Sequence, residues 1–294
     1  MRWRGRRESS NIEDMRGRGG MGMGGFRLPG GGGGRGGLGI IGTIVVVLVG
    51  LYFGVDPSVF LGGGGMQQPT SRAVDTSAPE ARENKAFVAT VLADTEDTWH
   101  GIFDQLGRTY EEPKLVMFSG TVQSACGHAQ SAMGPFYCPR DRKVYLDTSF
   151  FDELSRRFGA PGDFAQAYVI AHEVGHHIQT ILGISQQVDQ MRGRTSQAEG
   201  NALSVRLELQ ADCLAGVWAY HARNTRDLLE QGDVEEALTA ATAIGDDRLQ
   251  QQAQGYVVPD AFTHGTSAQR VRWFRTGMQT GDIDACDTFA ARDL

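Results

Sequence analysis

Two histidines four residues apart, with a glutamate beside the first, carry the clearest chemical signal in this chain. The segment AHEVGHH contains His172, Glu173 and His176. On a helix, residues four apart differ by about 40° around the axis, so the two imidazoles face one point, as two zinc ligands do. The carboxylate of Glu173 is placed to take a proton from a water there. We therefore predict a zinc site with Glu173 as general base, rather than an ordinary pair of helical histidines. His177 points about 100° away from His176 around the helix axis. It is therefore predicted to lie on the surface or behind the ligands.

The acidic segment ELQAD at residues 208–212 offers a third ligand, since a catalytic zinc site has three protein ligands and one open position. Glu208 and Asp212 lie four residues apart on one helix face, where like charges repel unless a cation or an imidazole is close. We predict that Glu208 binds the metal and that Asp212 accepts the free N–H of a ligand histidine, with His172 as the first choice. A solvated acidic patch is the alternative. His221 competes as the third ligand, although it points away from Glu208 on this helix.

The four cysteines, Cys126, Cys138, Cys213 and Cys286, are an even number that permits two disulfides in three connectivities. Cys126 and Cys138 flank a short, turn-rich stretch, and a bridge between them would contribute about 3 kcal/mol. Buried free thiols are the alternative. A second zinc site with His128 between these two cysteines has only three ligands in view and is disfavoured.

The N-terminal part of the chain differs sharply from the rest in composition. Residues 1–37 are rich in arginine and glycine, bury too little apolar surface to fold, and are predicted to be disordered. Residues 38–55 form an uncharged apolar run of about 27 Å if helical, which predicts a transmembrane helix. A buried helix or a cleaved signal peptide are the alternatives. Arginines before this run and acidic residues after it predict a cytoplasmic N-terminus and an extracytoplasmic C-terminal domain, periplasmic or extracellular.

Residues 56–82 are predicted to be a flexible linker, because they contain a glycine run, prolines and small polar residues. Residues 83–294 then form the folded domain. Strand patterns occur at residues 114–120 and as a hairpin at 134–147. Helical periodicity is found at residues 83–106, 148–158, 163–182, 196–223, 233–253 and 266–280. Side-chain caps are predicted for three of these helices, from Asp163 with Gln166, Ser196 with Glu199, and Thr266 with Gln269. The predicted fold class is α+β and mostly helical, with a small β-sheet or hairpin, preceded by a single transmembrane helix.

Several segments together resemble the Putative neutral zinc metallopeptidase family over nearly the whole chain. The matching segments are SSNIED (9–14), CGH (126–128), GPFYCP (134–139), HEVGHH (172–177) and FTHGTSAQR (262–270). The resemblance implies a zincin-like metallopeptidase domain with one zinc ion, following a short cytoplasmic tail and one membrane span. The chain is also similar to gluzincins that use Glu-x-x-Ala-Asp, which implies Glu208 as the third ligand and Asp212 as the acid that orients a ligand histidine.

His264 is a further candidate for the reaction. Related peptidases carry a Thr-His-Pro segment followed by an arginine, whereas here Thr263 and His264 are followed by Gly265, with Arg270 downstream. Its catalytic role would be to donate a hydrogen bond to the oxyanion of the tetrahedral intermediate. A loop histidine that caps the following helix is the alternative.

These features predict a membrane-anchored zinc metallopeptidase that acts on peptide or protein substrates. A catalytically inactive, zinc-stabilised membrane scaffold is the alternative, but a structural site is usually closed by a fourth protein ligand and does not need Glu173. A third interpretation makes the arginine- and glycine-rich tail an RNA binder. That tail lacks interleaved aromatic residues and adjoins the predicted span, so attraction to anionic lipid is the simpler interpretation and no nucleic-acid partner is expected.

Overall fold

A computed structural model describes residues 1–17 and 74–294, where the fold is mostly helical with two small sheets. The strands are β1 (Ile12–Asp14), β2 (Lys114–Phe118), β3 (Thr121–Ser124), β4 (Gly127–Gln130), β5 (Phe136–Cys138) and β6 (Lys143–Asp147). The helices are α1 (Pro79–Gln105), α2 (Ser149–Arg156), α3 (Asp163–Ile181), α4 (Ile184–Arg192), α5 (Gln197–Asn224), α6 (Asp233–Ala243), α7 (Asp246–Gln254) and α8 (Ser267–Thr280). The mostly helical character and the small sheet of the predicted fold class are confirmed.

The larger sheet has the strand order β1-β2-β6-β5. Strands β1, β2 and β6 are parallel, and β5 runs antiparallel to β6 as the first arm of the predicted hairpin. Leu115 and Val144 are paired in neighbouring strands and are both fully buried against the helices. Strands β3 and β4 form a separate antiparallel hairpin, for which the sequence gives no clear alternation. The edge strand β5 is the part of the sheet that borders the candidate site.

Small residues bring the helices of the site close together. Helix α5 packs against both α3 and α8. A Cβ atom placed on Gly175 of α3 would lie 3.0 Å from the carbonyl oxygen of Ala211 in α5, and one on Gly277 of α8 would lie 1.9 Å from that of Cys213. Only glycine permits the second contact, because real Cβ atoms do not approach a carbonyl so closely. The helices that carry AHEVGHH and ELQAD are thereby held backbone to backbone.

Two of the three predicted helix caps are confirmed. The side chain of Ser196 accepts a hydrogen bond from the amide of Glu199, whose carboxylate accepts from the Ser196 amide in return. Thr266 and Gln269 form the same reciprocal arrangement at the start of α8. Each arrangement pairs first-turn amides that have no partner within the helix, which explains why both starts are found at the predicted positions.

The third cap, predicted at Asp163, is wrong. Helix α3 does begin at this residue, but Gly162 occupies the cap position and no side chain caps it. The Asp163 carboxylate instead accepts a hydrogen bond of 2.9 Å from the amino group of Met1. The first-turn amide of Phe164 donates to a Glu236 carboxylate oxygen at 3.0 Å. A partner distant in sequence has therefore replaced the local cap, since an ammonium group is the stronger partner for the aspartate.

Residues 233–253, predicted as one helix, form the two helices α6 and α7. The break falls at Ile244 and Gly245. A Cβ atom on Gly245 would lie 2.4 Å from the backbone nitrogen of Ser267, so the chain at the break packs directly on the start of α8. Periodicity alone does not register such a contact, because both helices continue the same pattern of apolar residues. Helix α4 is also additional to the predicted helices.

Residues 1–17 belong to the folded domain, so the prediction of a disordered tail over residues 1–37 is wrong for this part. Strand β1 pairs with β2, and the ring of Trp3 packs edge-on against Phe87 of α1 with centroids 5.3 Å apart. The prediction fails because it rests on average composition, in which the many glycines after residue 17 outweigh a short segment that pairs and packs with residues distant in sequence. Residues 18–37 lie outside the described part of the chain.

The predicted transmembrane helix at residues 38–55 lies outside the described residues, as does most of the linker predicted at 56–82, whose last residues begin α1. Within residues 1–17 and 74–294, no helix combines the length and apolarity needed to cross a bilayer. The predicted fold class is therefore corrected for the described residues, which form a mostly helical domain with small sheets and do not support a single transmembrane helix.

All four cysteines are paired. The predicted bridge between Cys126 and Cys138 is present, and Cys213 is bonded to Cys286. The free-thiol alternative and the second zinc site at His128 are thereby excluded. The second bond fastens α5, at the residue after Asp212, to the C-terminal part of the chain. Its loop of 73 residues is longer than the 12 of the first, so it restricts the unfolded chain more.

Candidate metal centre

Three side chains converge at the predicted place. His172 and His176 come from α3, and Glu208 comes from α5. The Nε2 atom of His172 lies 3.1 Å from Oε2 of Glu208, and that of His176 lies 3.4 Å from Oε1. Two ligands that each bind a tetrahedral zinc ion at about 2.1 Å are about 3.4 Å apart. The separations therefore fit three ligands of one zinc ion, whereas His221 bonds the carbonyl oxygen of Gly281 and lies outside the group.

The other nitrogen of each ring has its own partner. Nδ1 of His172 lies 2.9 Å from Oδ1 of Asp212, as predicted, and Nδ1 of His176 lies 2.8 Å from Oε1 of Gln179. Gln179 in turn donates to the carbonyl oxygen of Leu207 at 2.6 Å. With the proton of each imidazole on Nδ1, both Nε2 atoms can bind a metal. Gln179 is absent from the predicted site, although its position three residues after His176 could have indicated it.

Asp212 is held by a buried network of charges. It is fully buried, and its Oδ2 and Oδ1 atoms accept hydrogen bonds of 2.9 Å from Nε and Nη2 of Arg270. The hydroxyl of Tyr168 donates to Oδ1 at 2.5 Å. Tyr168 lies four residues before His172 and therefore on the same helix face. This spacing could have indicated from the sequence that Tyr168 belongs to the site. These contacts fix the carboxylate that orients His172, so the network sets the direction of a candidate ligand.

The electrostatics of the group favour a bound cation. Burial opposes charge on His172, yet the carboxylates of Asp212 and Glu208 outweigh it and raise the pKa of this imidazole to about 10. Burial would also raise the pKa of Asp212, but Arg270 and His172 lower it to about 2. Burial would also raise the pKa of Glu208, but the neighbouring imidazoles of His176 and His264 hold it well below its usual value. Buried carboxylates that stay charged attract positive charge to the point between the rings.

The convergent group lies at the floor of a cavity of about 660 Å³. Glu173, His264 and Arg270 also line this cavity. Burial is the main cause that raises the pKa of Glu173, which suits a carboxylate that must take up a proton. The structure therefore brings Glu173 and the predicted His264 to the same cavity as the three candidate ligands.

Asp246 organises the loop that carries His264. Its Oδ2 atom accepts hydrogen bonds from three successive amides, those of Thr263 at 2.7 Å, His264 at 2.6 Å and Gly265 at 3.1 Å. Its Oδ1 atom lies 3.2 Å from Nδ1 of His264. The imidazole is thus oriented by a buried carboxylate, as in other sites where a histidine acts. Asp246 was not among the predicted residues, because nothing in its local sequence connects it with a loop that follows α7.

His177 is fully buried, so of its two predicted positions, at the surface or behind the ligands, the surface is excluded. Its Nε2 atom lies 2.6 Å from the carbonyl oxygen of Glu111, and its Nδ1 atom lies 3.1 Å from the hydroxyl of Tyr137 in β5. Burial lowers the pKa of this imidazole to about 4, so the ring is neutral and Nδ1 accepts from the tyrosine. His177 therefore connects the helix of the candidate ligands to the edge strand beside the cavity.

The substitution His177→Phe is expected to lower the free energy of unfolding by about 1 to 3 kcal/mol, since it removes the two hydrogen bonds of a fully buried side chain. Tyr137→Phe removes one of the two bonds and should cost about 1 kcal/mol. Urea unfolding of the metal-free protein measures both, with the exposed His128 changed to glutamine as the control. Unfolding midpoints equal to that of the wild type in both variants would show that this connection does not stabilise the fold.

The chain belongs to the Putative neutral zinc metallopeptidase family, whose family model matches residues 1–289. Among relatives, the chain is 54% identical over 294 residues to "Uncharacterized protein YpfJ" of Escherichia coli (strain K12), which covers 98% of this chain and 99% of the relative. It is 43% identical over 264 residues to "Uncharacterized protein Rv2575" of Mycobacterium tuberculosis (strain ATCC 25618 / H37Rv), covering 83% of this chain and 86% of that one. No solved structure matches the chain. The family resemblance seen in the sequence is confirmed.

Proposed function

We propose that this protein is a zinc-dependent metallopeptidase that hydrolyses peptide bonds. The observation that carries the proposal is the convergence of His172, His176 and Glu208 within ligand distance of one another, with Glu173 lining the same cavity. Membership of a family described as zinc metallopeptidases supports the class of reaction. A structural zinc site would be closed by a fourth protein ligand, whereas this group opens into a cavity and includes a candidate base.

The roles follow from the positions of the side chains. His172 and His176, through Nε2, and Glu208, through its carboxylate, would hold the zinc ion. When bound, zinc polarises the peptide carbonyl and makes water more acidic. Glu173 takes the proton from the attacking water and passes it to the departing amine, for which a carboxylate with a raised pKa is suited. Asp212 keeps the ring of His172 in the orientation that presents Nε2.

His264 is proposed to stabilise the negative charge that develops on the peptide oxygen. Asp246 occupies its Nδ1 side, which leaves Nε2 as the nitrogen that can donate toward the cavity. The substrate backbone is proposed to lie along β5, because this strand is at the edge of the sheet and its residues Phe136 and Tyr137 line the cavity. The strand proposed to bind the peptide, the candidate metal ligands and the proposed base Glu173 would then lie beside one cavity.

We also propose that the domain acts in an oxidising, extracytoplasmic compartment. Both pairs of cysteines are bonded, and such bonds persist where thiols are not kept reduced. The observation supports the compartment and does not involve any membrane segment.

The proposal is tested by measuring metal content and peptide cleavage of the purified full-length chain. The full chain is required because residues 1–17 supply β1 of the sheet. We expect about one zinc ion per chain, cleavage of a mixed peptide library, loss of cleavage after chelation, and recovery when zinc is returned. Glu208→Ala should lose most of the bound zinc, because two imidazoles alone hold the ion weakly. Bound zinc without cleavage of any peptide would instead favour a zinc-stabilised scaffold.

A further inference from the structure

One wall of the cavity is apolar and includes two phenylalanines of the α2 region, while other apolar residues, among them Ile244 and Leu249, also line the cavity. This wall contains Phe150 of α2, Phe158 just after α2, Met133, and Val169 of α3. Val169 lies one turn before His172, so the apolar wall begins beside the candidate ligands. Polar side chains line the cavity at the metal centre and near His264, and also beside this wall. A peptide whose carbonyl lies at the metal would therefore have aromatic side chains beside it in the same cavity.

The two phenylalanines are held in place by the fold. Their rings have centroids 6.4 Å apart, and both are half-buried, packing against the main core while also lining the cavity. A Cβ atom on Gly134 would lie 3.6 Å from the ring of Phe150, so the loop before β5 approaches that ring closely. The guanidinium of Arg157 lies over Phe158, 5.4 Å from the ring centroid. The wall is thus a formed surface rather than a pair of loose side chains.

The charges near this wall do not select a charged substrate. Glu153 and Arg157 are the two charged residues of the α2 region that line the cavity. They lie four residues apart and have opposite charges, so together they add no net charge to this wall. Glu153 is half-buried and Arg157 is exposed, which leaves the aromatic faces as the dominant feature of this wall. An apolar side chain gains free energy by leaving water for such a surface, whereas a charged one would lose its hydration.

We propose that Phe150 and Phe158 form a specificity subsite that receives a large apolar or aromatic side chain next to the scissile peptide bond. The inference rests on the proposed peptidase function and adds the class of substrate to it. Pockets of this kind distinguish substrates by about 10- to 200-fold for small changes in the apolar group that they receive. The preferred substrates are therefore peptides or unfolded segments with Phe, Tyr, Leu or Met at this position.

The test uses two series of quenched fluorescent peptides that vary only the residue before, or only the residue after, the cleaved bond. In one series, the wild type should show kcat/KM at least about 10-fold higher for Phe than for Ala or Asp. Phe150→Ala and Phe158→Ala, made separately, should each reduce kcat/KM for the Phe peptide by about 10-fold and change that for the Ala peptide little. Phe289→Ala is the matched control, since Phe289 is also half-buried but does not line the cavity.

A binding measurement separates this inference from the proposed reaction. Fluorescence anisotropy with the variant Glu173→Gln should show the Phe peptide binding about 10-fold more tightly than the Asp peptide, with the difference removed by Phe150→Ala. If the wild type cleaves no peptide but this difference is present, the peptidase proposal fails and the subsite stands. If the wild type cleaves Phe, Ala and Asp peptides equally well in both series, or if both phenylalanine variants keep the wild-type selectivity, the subsite is overturned.

Discussion

The substitution Glu173→Gln is expected to lower kcat by about 10²- to 10⁴-fold while leaving the bound zinc at one ion per chain. Glutamine has nearly the same shape as glutamate but cannot accept the proton of the attacking water. The metal should be retained because Glu173 is not one of the three convergent side chains. Elemental analysis and steady-state kinetics on one preparation measure both quantities.

Glu235→Gln is the matched control for that experiment. Glu235 is exposed on α6 and does not line the cavity, so its substitution should change neither zinc content nor kcat. A Glu173→Gln protein as active as the wild type would end the proposed role of this carboxylate. Loss of zinc from the same variant would instead show that Glu173 contributes to holding the metal.

Arg270→Ala is expected to lower the free energy of unfolding of the metal-free protein by about 3 to 5 kcal/mol. The guanidinium is buried and makes two hydrogen bonds of 2.9 Å to Asp212, so its removal leaves this buried carboxylate without the stronger of its two cationic partners. Zinc affinity should fall as well, by about 10- to 100-fold, because Asp212 orients His172. Urea unfolding measures the first effect, and competition with a chelator measures the second.

Two further variants decide how the effect of Arg270 is interpreted. Arg272→Ala removes an exposed guanidinium from the same helix and should change stability by less than about 0.5 kcal/mol. Adding Asp212→Asn to Arg270→Ala should recover part of the lost stability, since the carboxylate that had lost its partner is then neutral. Additive losses in the double variant would contradict the idea that the two residues act as one pair.

The candidate site was predictable from sequence because most of its geometry is local. The spacing of His172 and His176 on one turn fixes two candidate ligands, and the spacing of Glu208 and Asp212 places two carboxylates on one face of another helix. Asp246 and the hydrogen-bond partners of His177 were not predictable in the same way. Both depend on which loop or strand packs against the residue, and periodicity describes only the element that the residue belongs to.

The fold was predicted well where helices are long and poorly where contacts are distant in sequence. Helix α5 and helix α8 begin at their predicted caps, since their first turns satisfy their own amides. Strand β1 has three residues and no apolar alternation, and it is defined by its pairing with β2. Short strands of this kind gain their stability from pairing within the sheet, so the strand propensities of their own residues do not predict them.

The position of β1 also bears on how the chain acquires its structure during synthesis. Ile12 pairs with Leu115, so β1 is synthesised roughly a hundred residues before the strand that it pairs with. Until then, the side chain of Trp3 has no folded core to pack against and stays exposed, so it can bind chaperones or make non-native contacts. Completion of the sheet is therefore a late step, and the folding rate of this domain should depend on closing that long loop.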